Sequence, residues 1–312
     1  MSETTIDPAA ATAVRRPPTV GAEAPALAAA LVTVVLWASA FVAIRDAGTT
    51  ISPGPLSLGR LLVASVVLGV LVVVRGEALP PRADLPRLVL CSLLWFAAYN
   101  VILNTAERHV DAGTAAMLVN VGPILIAVLA GIALGEGFPR PLLAGCAIAF
   151  AGAVVIGLAT SGRGVDAGWG AVLCLLAAAA YAAAVVVQKP LLERTSGLQI
   201  TFLACAIASV ACLPFAPDLV HDARAAGTGP SLWILYLGAF PTALGFTTWA
   251  YALRRTTAGR MGATTYLVPP VAVVLGWVLL GETPPALALG GGALCLAGVF
   301  VARGGGVRRA RR

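Results

Sequence analysis

Three asparagine side chains are the first group in this sequence whose type and spacing could bind a small molecule. Asn100 and Asn104 stand four residues apart, so an α-helix places both carboxamides on one face together with Phe96. Asn120 precedes Pro123 by about one helical turn. A carboxamide both donates and accepts hydrogen bonds, so this set could hold the polar groups of a ligand. Joining neighbouring helices is the alternative role of such side chains, and both interpretations stay open.

Arg60 and several aromatic residues extend the candidate set. Arg60 is the only Lys or Arg inside an apolar run. Its charge either reaches the lipid headgroups along the side-chain stem, which the sequence favours, or binds a substrate carboxylate. Rings with a polar tip can stack against an amphiphilic ligand, whereas Trp249 and Tyr251 lie near the end of an apolar run and fit an interfacial aromatic belt. The candidate substrate-binding residues are Trp37, Ser39, Arg60, Tyr99, Asn100, Asn104, Asn120, Tyr181 and Tyr266.

Motifs of enzymes and of ATP-driven pumps do not occur in the sequence. There is no GxxxxGK phosphate loop and no HExxH pair, and the two histidines, His109 and His221, stand far apart. We therefore predict no catalytic activity, no cofactor and no metal. All fourteen acidic residues fall in tails, connectors or the ends of apolar runs, so no carboxylate is expected deep in a membrane to hold a coupling ion.

Membrane-spanning helices must position these candidates. Of the 312 residues, 59% are hydrophobic and 11% are charged, whereas about a quarter are charged in a soluble domain. Apolar runs close to the ~20 residues that cross a bilayer as helix recur along the chain. They lack the strict alternation of β-barrel strands, so the predicted class is an all-α integral membrane protein. The ten predicted spans are residues 26–45, 55–74, 86–107, 112–134, 140–159, 168–188, 196–215, 231–253, 259–280 and 285–303.

The distribution of positive charge predicts the orientation. If both termini are cytoplasmic, sixteen of the 21 Lys and Arg residues fall on the inner side and four on the outer side, and Arg60 lies within a span. Positive charge accumulates on the cytoplasmic side of membrane proteins, so we predict a multi-pass protein of the plasma (inner) membrane. The basic residues at the C-terminus fit attraction to an anionic leaflet. Nothing in them indicates a nucleic-acid partner.

The sequence repeats itself at an offset of 146 residues. The stretch NVGPILIAVLAGIALGEGFP (120–139) corresponds to YLVPPVAVVLGWVLLGETPP (266–285). Each copy contains five spans, an odd number, so the second copy must lie inverted relative to the first. The predicted organisation is a disordered cytoplasmic tail (1–25), a first five-helix repeat (26–159), a second five-helix repeat (168–303) and a basic cytoplasmic tail (304–312).

Prolines and Gly-Glu pairs occupy matched places in the two copies. Pro123 and Pro269, the latter followed by Pro270, stand near the middle of their spans, where proline bends a helix and frees a carbonyl, here those of Val119 and Thr265. We expect these prolines to form kinks that gate a cavity; simple packing is the alternative. Each Gly-Glu pair, at 135–136 and 281–282, predicts a glycine helix stop followed by an acid near the start of the next helix.

The chain resembles the ten-helix EamA-type permeases of the drug/metabolite transporter superfamily. The resemblance rests on LWASAFVAIRDAG (36–48), SPGPLSLGRLLVASVVL (52–68), AGTAAMLVNVGPILIAVLAGIALGE (112–136) and AGRMGATTYLVPPVAVVLGWVLLGE (258–282). It implies transport of small metabolites, often amino acids, through a central cavity lined mainly by spans 1, 3, 4, 6, 8 and 9. The second copy has no counterpart of Arg60, so the two halves are not functionally interchangeable.

The predicted function is secondary transport by alternating access, with export of amino acids or related amphiphilic compounds as the leading hypothesis. Uptake of sugars or nucleotide-type metabolites is the alternative, and a non-transport scaffold is a more distant one. The predicted partners are a small-molecule substrate and the lipid bilayer. Substrate identity, direction, energy source and the choice between a monomer and a homodimer stay open.

Overall fold

The computed structural model describes residues 23–109, 118–160, 169–280 and 285–304, and every regular element in these ranges is helical. The predicted all-α class is therefore confirmed. The predictions made for most of the N-terminal tail, for Gly281 and Glu282, and for the basic C-terminus beyond residue 304 lie outside the described residues.

Fourteen α-helices follow one another along the described chain. They are α1 (Glu23–Ala47), α2 (Pro53–Arg75), α3 (Leu85–Cys91), α4 (Asn100–Ala106), α5 (Gly122–Ala133), α6 (Arg140–Thr160), α7 (Trp169–Leu191), α8 (Gly197–Ala211), α9 (Ala216–Ala226), α10 (Thr228–Leu237), α11 (Gly245–Arg255), α12 (Ala258–Thr264), α13 (Val268–Leu280) and α14 (Ala286–Gly304). Two π-helical segments make α3–α4 and α10–α11 continuous, namely Ser92–Tyr99 and Gly238–Leu244. A 3₁₀ turn, Thr265–Leu267, joins α12 to α13.

Five described helical stretches are long and apolar enough to cross a membrane. They are residues 24–41 of α1, α2, the stretch 82–106, α7 and residues 286–303 of α14. A sixth is reached if α8 and the following helix, bent by 59°, form one span. The other predicted spans are shorter or interrupted in the described residues.

Helix α9 was not expected from the sequence, which placed residues 216–226 in a connector. Asp218 in its first turn and Arg224 in its last turn suit the helix dipole. The helix follows Phe215, whose ring packs so closely on Gly54 that a Cβ there would lie 2.5 Å from it. The backbone N–H of Ser52 donates to Asp222 Oδ2 at 2.8 Å, and this hydrogen bond lowers the pKa of Asp222. The connector is thus folded against the start of α2.

The 146-residue repeat is visible in the boundaries of the elements. Four pairs of elements begin 146 residues apart: α1 and α7, the two π-helical segments, α5 and α13, and α6 and α14. The same local breaks therefore recur at the same places in both copies.

Glycines bring α6 and α14 into backbone contact. A Cβ on Gly152 would lie 2.6 Å from the carbonyl oxygen of Gly291, and a Cβ on Gly145 would lie 2.5 Å from that of Gly298. Under the 146-residue offset, Gly145 corresponds to Gly291 and Gly152 to Gly298, so the two contacts are equivalent to each other. Reciprocal contacts of this kind are those of an approximate two-fold axis. The two helices run antiparallel, and each places its small residues against the other.

Candidate substrate-binding site

The π-helical segment after α3 sets the first wall of the site. Such segments replace the i→i−4 backbone hydrogen bonds of an α-helix with i→i−5 bonds, and they often occur at functional sites. Asn100 follows the segment directly, and its Nδ2 donates to the carbonyl oxygens of Phe96 at 2.9 Å and Trp95 at 3.2 Å. These bonds hold the carboxamide in place beside the segment that presents Trp95 and Tyr99 to the interior.

The second π-helical segment holds Arg60. Gly238 lets this segment approach α2, because a Cβ there would lie 2.7 Å from the carbonyl oxygen of Arg60. Thr242, in the same segment, donates to the carbonyl oxygen of Leu237 at 2.7 Å and accepts the Nε–H of Arg60 at 3.0 Å. Arg60 is 5% exposed. The favoured sequence interpretation, with Arg60 reaching the headgroups, is therefore wrong, because the guanidinium is bound inside the helix bundle.

The prolines begin helices and do not bend continuous ones, which corrects the sequence prediction. Pro123 lies in the first turn of α5, which starts at Gly122 after a turn, and Pro269 is the second residue of α13. Proline fits there because the first turn of a helix does not need its N–H. The carbonyl of Thr265 is not freed, since it accepts the N–H of Val268. Each span is thus broken at its proline, and Gly122 lets the Tyr181 ring approach the first break.

A cavity of about 800 Å³, counting space open to solvent, lies between the two copies of the repeat. Spans 1, 3, 4, 6, 8 and 9 contribute to its wall, and α2 adds Arg60. Seven of the predicted substrate-binding residues and one predicted gating residue line it: Trp37, Arg60, Tyr99, Asn100, Asn104, Asn120, Tyr181 and Pro123. That these residues bind substrate stays a prediction.

Four predicted residues are not brought to the cavity. Ser39 turns toward α10, where its hydroxyl lies 2.7 Å from the hydroxyl of Tyr236. Tyr266 is fully buried in a separate apolar cluster with Ala38 and Cys146. Pro269 and Pro270 do not line the cavity, although Thr265 and Val268 beside them do. The site residues Trp95, Phe246, Thr265 and Val268 were missed by the sequence analysis.

The asparagines present acceptors to the cavity. Asn104 Nδ2 donates to Ser57 Oγ at 3.0 Å and to the Pro53 carbonyl at 3.4 Å. Because carbonyl oxygens accept from both Asn100 and Asn104, the orientation of the two carboxamides is fixed. Neither Oδ1 atom has a protein partner in the described part of the chain, and neither is sealed from the cavity. Both oxygens can therefore accept hydrogen bonds from a ligand.

Aromatic rings form one end of the cavity. Trp37 stacks on Trp249 with centroids 5.0 Å apart, and Trp95 meets Phe246 edge to face at 4.9 Å. Trp249 is fully buried and donates from Nε1 to Gln188 Oε1 at 3.2 Å. Its predicted place in an interfacial belt is therefore wrong. Tyr251 is partly exposed, as a belt residue would be.

Hydrogen bonds between the two copies and within the second copy hold the helices together at one end of the bundle. The Glu136 carboxylate accepts the backbone N–H groups of Ala258 at 2.7 Å and Gly259 at 3.1 Å. Gly135, with φ +65°, ends the preceding helix as predicted. The acid, however, caps α12 of the other copy and not the next helix along the chain. At this same end, within the second copy, Lys189 donates to the carbonyl oxygens of Leu253 and Thr256.

A model of the EamA-like transporter family matches the chain twice, over residues 24–158 and 168–304. The chain belongs to this family. It is therefore a membrane transporter, and the predicted resemblance is confirmed.

Relatives and a solved structure are consistent with that assignment. The chain is 41% identical over 274 residues to a "probable terminal-alkyne amino-acid exporter" of Streptantibioticus cattleyicolor, covering 88% of this chain and 91% of that protein. It is 26% identical to a "probable amino-acid metabolite efflux pump" of Salmonella typhimurium, covering 87% of this chain and 92% of that protein. A crystal structure with 19% sequence identity covers 92% of this chain and 99% of its own, with a TM-score of 0.77. At that identity, the structural match indicates a shared fold alone.

Proposed function

We propose that this transporter exports amino acids or related amphiphilic compounds by alternating access. The observation that carries the proposal is the cavity between the two copies of the repeat, which combines hydrogen-bonding groups with an aromatic end. A few placed polar groups within an apolar wall are typical of small-molecule sites.

The proposed architecture is ten spans arranged as two inverted five-helix repeats. It is supported by the paired element boundaries and by the reciprocal glycine contacts between α6 and α14. Two similar halves of opposite orientation give two nearly equivalent packings, one open to each side of the membrane. Broken helices at the centre of such a bundle provide the points about which the packings exchange.

The proposed location is the plasma membrane with both termini in the cytoplasm. On the positive-inside rule, the end tied by Glu136 and Lys189 then faces the cytoplasm. The cavity residues Ile44, Leu103 and Asn104 belong to the opposite ends of their helices. This conformation would therefore present the cavity to the outside, as in the state that releases an exported substrate. The proposal needs no protein partner, and the bilayer and the substrate suffice.

The substrate class is proposed from the cavity and from the names of the relatives. Both reported relatives carry names that refer to amino-acid export. The aromatic end, with Trp37 and Phe246, suits an apolar side chain. Terminal-alkyne amino acids, whose side chains are slender and apolar, are the first substrates to examine.

The test compares bacterial cells that express the chain with cells that carry the empty vector and cells that express the Asn100→Ala/Asn120→Ala variant. All three are loaded with L-propargylglycine, and its amount is measured inside the cells and in the medium, beside untargeted profiling of other metabolites. We expect enrichment outside and depletion inside with the unaltered chain at equal membrane abundance. Enrichment inside would indicate uptake, and identical distributions would remove amino-acid export as the function.

A further inference from the structure

Arg60 is a buried cation without a carboxylate partner. In the described residues its only hydrogen bond runs from Nε to Thr242, and no acidic side chain lies within ion-pair distance of it. Glu107 acts on it electrostatically from a greater distance. A charge that is removed from water is costly unless something compensates for it. A charged group inside a membrane protein that faces a cavity is therefore a candidate functional group.

The terminal nitrogens of Arg60 are available to a ligand. The side chain lines the cavity. Neither Nη atom has a hydrogen bond in the described residues, and neither is fully enclosed by protein, so both can be reached from the cavity. The Nε bond fixes the plane of the guanidinium, since Thr242 is itself held by the carbonyl of Leu237. The two Nη groups then form a fork that matches the geometry of a carboxylate.

The hydrogen-bond acceptors near Arg60 suit a positively charged group of the ligand. Asn100 and Asn104 commit their Nδ2 groups to the protein and keep both Oδ1 atoms for the cavity. Carboxamide oxygens accept hydrogen bonds from an ammonium group. One cavity thus offers a cationic donor and two neutral acceptors, and its aromatic end offers space for an apolar group.

We propose that Arg60 binds the substrate carboxylate, and that the substrate class is zwitterionic α-amino acids with an apolar side chain. The ammonium group then lies against Asn100 and Asn104. This inference rests on the proposed transport function and adds the group that recognises the substrate. In the second copy, the position that corresponds to Arg60 at the offset of 146 residues is Ala206, so the carboxylate site belongs to the first copy.

The test uses purified protein in lipid nanodiscs and three matched probes. These are L-propargylglycine, its carboxamide, which lacks the carboxylate, and its N-acetyl derivative, which lacks the ammonium group. Binding is measured by tryptophan fluorescence and by the shift in thermal midpoint. We expect the unaltered protein to bind the amino acid about tenfold or more tightly than the carboxamide, because a charge-assisted hydrogen bond is lost. The N-acetyl derivative should also bind more weakly than the amino acid.

Four variants separate recognition from folding. Arg60→Met should bind the amino acid and the carboxamide alike. Two milder variants should retain part of the preference for the amino acid over the carboxamide. Arg60→Lys keeps the charge and loses the fork, and Thr242→Val keeps the charge and removes the Nε acceptor. Arg75→Met is the matched control, because Arg75 lies at the exposed end of the same helix, and it should retain the full preference. If Arg60→Met does not fold, an unchanged preference in both Arg60→Lys and Thr242→Val overturns the proposal.

Other outcomes assign the failure to one proposal or the other. Equal binding of the amino acid and the carboxamide by the unaltered protein, or binding of none of the probes, overturns the role of Arg60. Equal binding of the N-acetyl derivative overturns the zwitterionic class. Flux of the same probes is measured in proteoliposomes. A carboxylate preference without flux would remove the transport function and keep the Arg60 site, whereas flux without a carboxylate preference would do the reverse.

Discussion

The carboxylate of Glu136, in the first copy of the repeat, lies 2.7 Å from the backbone nitrogen of Ala258, in the second. With the bond to Gly259 at 3.1 Å, one side chain satisfies two of the N–H groups that the start of α12 leaves open. A negative charge at this position is also favoured by the helix dipole. A single residue therefore joins two copies across 122 residues of sequence at the tied end of the bundle.

Glu136→Gln should weaken this tie. The amide keeps one acceptor oxygen and loses the charge and the second acceptor, which costs about 1–3 kcal/mol. Leu253 is fully buried at the same end, so a cysteine in its place reports when this end of the bundle opens. We expect a maleimide to label Leu253→Cys several-fold faster in the Glu136→Gln background. Glu77→Gln, another acid at this end, is the control, and equal labelling rates in both backgrounds would show that Glu136 does not hold the end closed.

Gly298→Ala should destabilise the packing of α6 against α14. Its new Cβ would lie 2.6 Å from the Gly145 carbonyl oxygen and 2.6 Å from the Ala149 Cβ, and overpacking of this kind costs about 1–3 kcal/mol. Gly290→Ala on the same helix is the matched control, since nothing lies within 4 Å of its added Cβ. That change should be neutral or stabilising by up to about 1 kcal/mol, because alanine is the better helix former. Thermal unfolding of both purified variants measures the difference in stability. Equal thermal midpoints would show that the close contact between α6 and α14 can relax at no cost.

Asn100→Ala should lower transport more than it lowers stability. The variant loses the donor to Phe96 and Trp95 and the oxygen that faces the cavity. We expect the apparent affinity for the transported amino acid to fall about tenfold, in line with one or two lost hydrogen bonds. Ser92→Ala is the control: Ser92 is also buried in this span and donates to the Leu88 carbonyl at 2.6 Å, but it does not line the cavity. Equal losses in both variants would assign Asn100 to helix structure alone.

The sequence predicted the helical class, the repeat and most of the cavity wall, because apolar runs, the 146-residue offset and the spacing of Asn100 and Asn104 are local patterns. It did not predict the burial of Trp249. Trp249 stands close to the C-terminal end of its predicted span, and tryptophan is common in the interfacial belt at such ends, so its place along the span did not reveal that the ring is buried. The π-helical segments were also missed. Only the second one carries a residue that indicates an irregular helix, namely Pro241. The partner of Glu136 is set by packing between distant segments, which no local pattern encodes.

Pro123→Ala and Pro269→Ala should slow transport while leaving the thermal midpoint nearly unchanged. Each proline starts a helix after a break, and alanine would let the helix continue through the break, since it restores the N–H and removes the ring clash. A continuous helix would favour one of the two packings of the bundle. Pro217→Ala is the matched control, because Pro217 also lies in the first turn of a helix, α9, but outside the cavity. Counterflow in proteoliposomes measures exchange between the two packings. A fall in thermal midpoint with unchanged counterflow would show that the prolines serve packing and not the exchange.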